Sequence, residues 1–173
     1  MRRFSIVFAL IASLAIAGTV MAAPNKLRTF GTGDVTVTGT RSATIVNDAG
    51  EYGGVYVVGK STYKRLLADV DFSFTSTGSV GGDAPRFSLP IDTDGNVKTT
   101  EGYAFIDVNS CGGSTFVSTT SASCMVYFNT EPAPYANWDT FAAAHPTWTT
   151  SQDIPFVIAD AMGTYGVSDV ELN

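Results

Sequence analysis

Val70-Asp71-Phe72-Ser73-Phe74-Thr75 puts three apolar side chains on one face of an extended strand and three polar ones on the other. This period of two constrains the chain more than any other feature, because it recurs in short segments throughout. Asp34 to Thr38, Val55 to Val58, Phe87 to Ile91, Tyr103 to Val108, Phe116 to Thr119, Met125 to Phe128, Phe156 to Ile158 and Val167 to Leu172 follow the same habit. About nine strands are therefore expected, each with one face packed and one wet. The abundance of Gly, Thr, Ser, Val and aromatic residues agrees, since these favour pleated surfaces joined by turns. The expected fold is all-β, an antiparallel β-sandwich of the jelly-roll type. Pro90 lacks a ladder donor, which places its strand at an edge or a bulge.

Helical signals are few. Thr62 to Ala68 suits a turn or two, and Asn137 can cap a short helix over Trp138 to Ala144 that Pro146 ends.

The first residues, MRRFSIVFALIASLAIAGTVMAAP, join Arg2 and Arg3 to an apolar run and end in the small residues Val20 and Ala22. This pattern predicts a secretory signal peptide over residues 1–22, cleaved after Ala22, and a secreted domain over residues 23–173 without a membrane span. Cleavage removes two arginines and no acid, so the formal charge of −6 becomes more negative by two. Nucleic acid and anionic membranes demand a basic footprint, so neither is an expected partner.

Cys111 and Cys124 are the only cysteines, and His145 the only histidine. In an oxidising compartment the two thiols read as a disulfide staple, and a zinc site lacks ligands.

Four oxygen-bearing side chains, Asp92, Asp94, Asn96 and Glu101, crowd one connection between strands. An EF-hand fails, since counting from Asp92 the positions needing Gly and a bidentate acid hold Val97 and Tyr103. A different structural calcium site and a plain hairpin turn, with Gly95 supplying a positive φ, are the two readings left open. No catalytic centre stands out. Gly112-Gly113-Ser114-Thr115-Phe116 lacks the second glycine of a nucleophile elbow, and His145 before Pro146 has no evident serine partner. Any pair among 16 acids meets the composition of a glycosidase by chance. Asp107 alternates with Tyr103 and Phe105, which puts the three on one sheet face. Aromatic platforms for sugar rings are the better lead: Tyr103, Tyr127, Tyr135, Trp138 and Trp148, the two tryptophans in the loop-rich stretch from Glu131 to Asp153.

The segments LADVDFSFTS, APRFSLPIDTDGN and GYAFIDV with the closing PFVIADAMGTYGVSDVELN resemble small exported bacterial proteins of the galactose-binding-like or carbohydrate-binding-module jelly-roll kind. Their last strand commonly reads Ile-Asp-Asn-Val-x-Leu, and Val167-Ser168-Asp169-Val170-Glu171-Leu172 keeps that spacing. Ser168 stands where the family often has an Asp that helps hold calcium. The resemblance implies a jelly roll and a non-catalytic, carbohydrate-binding role. A structural or protein-interaction component of the cell envelope or extracellular matrix is the alternative, and a small secreted hydrolase the third.

Overall fold

The computed structural model describes residues 26–59, 63–82 and 84–173, so the signal peptide expected over residues 1–22 lies outside the described residues. Among the described residues twelve strands pack as two antiparallel sheets. They are β1 (Lys26–Gly31), β2 (Asp34–Gly39), β3 (Ser42–Asn47), β4 (Gly53–Val58), β5 (Phe72–Gly78) and β6 (Arg86–Asp92), then β7 (Gly102–Asp107), β8 (Phe116–Ser118), β9 (Tyr127–Phe128), β10 (Thr149–Thr150), β11 (Phe156–Ala159) and β12 (Gly163–Leu172). The larger sheet runs β1-β4-β11-β6-β7-β9, with β10 also on β6, and the smaller runs β2-β3-β12-β5-β8.

All the alternating segments identified above are strands. Three strands are added to them: β1, β3 and β10. The pairing is nested: β6 with β7, β5 with β8, β4 with β11, β3 with β12. A double-stranded ribbon rolled across two layers gives this order, which is the jelly roll.

The core lies between the sheets. Phe72 and Phe74 of β5, Phe87, Leu89 and Ile91 of β6, Val55 and Val57 of β4, and Val167 and Leu172 of β12 are all at most 2 % exposed. Each such side chain contributes about 1.5–3 kcal/mol by leaving water.

Pro90 does not lie at an edge. Strand β6 is internal, but its flank is shared end to end, β11 pairing with Arg86–Ser88 and β10 with Ile91–Asp92. Pro90 sits at the gap between them, and its carbonyl accepts from the Ser151 amide in the connecting loop. The missing N–H therefore faces a break in the ladder, where no strand carbonyl waits for it.

Among the described residues there is one α-helix, α1 (Trp138–Ala144); it begins at Asn137, whose side chain accepts from the Thr140 amide while the Thr140 hydroxyl receives the Asn137 amide. Of the turn expected over Thr62 to Ala68, Thr62 lies outside the described residues; Tyr63 and Lys64 form a turn, and a 3-10 turn occupies Leu67–Asp69. No helix among the described residues is long and apolar enough to cross a membrane.

Cys111 and Cys124 form a disulfide. Cys111 follows β7 and Cys124 precedes β9, both in the larger sheet, while the loop between them carries β8 across to the edge of the smaller one. On the last strand, a register shift falls between Ser168 and Glu171. There the Arg41 guanidinium pairs with Glu171 and lies 3.9 Å from Asp169, so positive charge beside these acids comes from the chain itself.

Candidate functional site on the outer face of the larger sheet

Alternation along each strand of the larger sheet sends one set of side chains into the core and leaves the other outside. On β4, Val55 and Val57 are buried and Tyr56 is not; on β7, Ala104 and Ile106 are buried while Tyr103 and Phe105 are half-buried. Register joins these outward residues into one row across six strands: Arg28, Tyr56, Phe156, Ser88, Phe105 and Tyr127. At the usual strand spacing the row is about 24 Å long.

Phe30 and Tyr103 thicken the row. The Phe30 ring lies 4.5 Å from Tyr56 and 5.5 Å from Phe156, and Tyr103 lies 5.8 Å from Phe156 and 6.3 Å from Phe105. Gly54 makes room for this, since a Cβ there would stand 2.5 Å from the Phe30 ring and 2.4 Å from the Val157 carbonyl oxygen. Ser88 is the small residue at the centre. It lets the rings of the neighbouring strands meet above it, and its hydroxyl is fully buried without a hydrogen-bond partner. The rings are not coplanar: Phe30 meets Phe156 at 87° and Tyr103 meets Phe156 at 63°.

Polar groups converge at the β7 end. Arg86, Phe105, Asp107 and Tyr127 line a pocket of about 210 Å³. The Arg86 guanidinium lies 5.2 Å over the Phe105 ring and donates twice to Asp160, at 2.8 and 2.6 Å. Asp107 is 3 % exposed and accepts from the Ser110 amide at 2.7 Å. At the opposite end the Arg28 guanidinium covers Tyr56 at 5.5 Å. Burial holds the Tyr103 phenol above its ordinary pKa, with the Asp153 carboxylate and Tyr56 acting in the same direction.

The expected platforms separate. Tyr103 and Tyr127 belong to this face, Tyr127 being 40 % exposed. Trp138 is not a platform: it is 4 % exposed, and its indole Nε1 donates to the Leu67 carbonyl at 2.9 Å. Trp148 is half-buried against the core, its ring 5.1 Å from Phe128 and 3.5 Å from His145. A loop-rich sequence context suggested exposure for both, but the loop folds down over one end of the sandwich. Tyr135 joins the same plug. Its hydroxyl donates to Glu131 at 2.6 Å and lies 2.8 Å from His145 Nε2, and the bond to Glu131 holds its pKa high. His145 Nε2 thus faces Tyr135 and Glu131 rather than a serine hydroxyl.

Phe30, Tyr56 and Phe156 join the face without a sequence expectation for them, and Phe105 lies on it beside Tyr103, as their alternation with Asp107 implies. Tyr56 and Phe156 carried a signal, since each sits at the outward position of an alternating segment.

The acidic connection is a hairpin between β6 and β7. Carboxylate oxygens of Asp92, Asp94 and Glu101 come within 4.8 Å of one another. Asp92, 1 % exposed, accepts from the amides of Asp94 and Gly95 at 3.1 and 2.8 Å, and from the Thr149 hydroxyl at 3.3 Å. Glu101 accepts from the Thr93 amide and Asp94 from the Asn96 amide. Gly95 has a φ of 85°, as a turn at this position requires. Three carboxylates are half of the smallest calcium shell, so carbonyls and water would have to complete it.

Comparisons with protein families, curated proteins and solved structures find no match to this chain.

Proposed function

We propose that the protein is a secreted, non-catalytic carbohydrate-binding module whose ligand lies on the outer face of the larger sheet. The observation that carries this reading is the in-register aromatic row flanked by Arg86 and Asp107. Pyranose rings present apolar C–H faces that stack on aromatic rings and hydroxyls that hydrogen-bond to charged side chains, and both kinds of group are in place along this row. Rings tilted at 63° and 87° favour a single soluble chain, which can twist to follow them, over a flat crystalline surface. The disulfide supports a location outside the reducing cytosol.

The experiment is a glycan panel with the purified protein, followed by Phe156→Ala and Phe105→Ala. Binding to a soluble glycan lost in both variants, each still unfolding in one cooperative transition well above the assay temperature, is expected. A blank panel, or binding indifferent to both changes, would sink the reading.

A protein-interaction role in the cell envelope is the second reading. It draws on Met162 and Val80, 70 % and 51 % exposed, in loops joined by the hydrogen bonds of Ser79 with Thr164. Capture of one envelope protein, lost in Met162→Asp, would favour it over the first.

A further inference from the structure

We infer that the carbohydrate bound on this face is acidic: a linear chain bearing uronate groups, with one carboxylate seated on Arg28. The inference rests on the carbohydrate-binding reading and specifies its ligand class.

The aromatic row ends at β1 in basic residues. Leu27 packs toward the core, so Lys26, Arg28 and Phe30 share the outward side of β1. Among the described residues no carboxylate forms an ion pair with Lys26 or Arg28, whereas Arg86, at the far end, is held by Asp160 through two bonds. The chain as a whole carries 16 acids against 10 bases, so an aromatic row that terminates in uncompensated cations runs against the general charge.

Arg28 is suited to a carboxylate by position as well as charge. Stacking over Tyr56 at 5.5 Å limits the orientations of its guanidinium, and the planar fork of donors matches the two oxygens of a carboxylate. A sugar chain following the row from Phe156 over Tyr56 reaches this group next, because the three residues are consecutive register partners. A neutral sugar there would gain only ordinary hydrogen bonds. A uronate gains charge-assisted ones, which are about twice as strong.

The test is isothermal titration of the purified protein with oligogalacturonates and with neutral cello- and xylo-oligosaccharides of equal length, at low and high salt. Oligogalacturonate is expected to bind at least about tenfold more tightly at low salt, from the added strength of a charged hydrogen bond. Added salt should shrink that preference, because the contact is exposed. Arg28→Gln should abolish the preference, while Lys98→Gln, a cation on the β6–β7 connection away from the row, should retain it. Equal or tighter binding of the neutral oligomers, or a preference that survives Arg28→Gln, overturns the inference and leaves the carbohydrate-binding reading standing. Failure of every oligosaccharide to bind overturns both.

Discussion

The His145 imidazole lies flat on the Trp148 indole, ring centroids 3.5 Å apart and planes 12° from parallel. This stack closes the end of the sandwich together with Phe141, which touches both rings. Its role is packing, so Trp148→Ala should lower unfolding free energy by about 2–4 kcal/mol and Trp138→Ala by about 3–5 kcal/mol. Urea unfolding measures the loss. Glycan affinity per folded molecule should not change in either variant; a lost affinity with intact stability would return these tryptophans to the binding surface.

Three phenols make the fold sensitive to alkali. Tyr103 and Tyr165 are held above the ordinary tyrosine pKa chiefly by burial, Tyr135 chiefly by its hydrogen bond to Glu131. A raised pKa means that the folded chain keeps its proton where the unfolded chain has lost it. Their contribution is therefore complete below about pH 10 and falls as pH rises through the folded values. Denaturant midpoints measured from pH 8 upward should be level at first and decline past about pH 10. Tyr135→Phe should lessen the decline, and an unchanged slope would count against its part in it.

Ser88 carries a buried hydroxyl with no partner. An unsatisfied group of this kind costs about 1–3 kcal/mol, so Ser88→Ala should leave the protein equally stable or more stable by up to that amount. Thermal melting checks this. A clear loss of stability would mean that the hydroxyl has a partner in solution.

Asp92 organises the β6–β7 turn through its three acceptor contacts. Asp92→Ala should cost about 1–3 kcal/mol by leaving two backbone amides without their acceptor. Because those bonds already hold the turn, melting curves with calcium and with chelator should coincide. A calcium-dependent rise in melting temperature, absent in Asp94→Asn, would instead assign the three carboxylates to an ion.

What could be read from the sequence was local. The alternation of Val70 to Thr75 fixes which side of β5 is buried without reference to any other strand, and Asn137 caps α1 through contacts three residues away. Gly95 marks its turn for the same reason. The row Tyr56, Phe156, Ser88, Phe105, Tyr127 was not legible, because its members meet only through register between strands remote in the chain. Strand β1 was hidden because Thr29 follows Leu27 on its inward side, leaving no run of alternating apolar residues on this edge strand. The fate of the tryptophans was equally non-local: the indole of Trp138 finds its acceptor in the Leu67 carbonyl, 71 positions earlier.

The nested pairing of strands also dictates when the protein can exist. Strand β12, the last ten residues but one, lies between β3 and β5 and separates them in the smaller sheet. Until it is synthesised, β3 has no link to β5 and the Phe72–Phe74 side of the core has no complete cover. Strands before Gly163 can still pair as β4 with β11, β6 with β7 and β5 with β8, but the smaller sheet stays split, and a version ending before Gly163 should be digested by protease faster than the chain that includes β12.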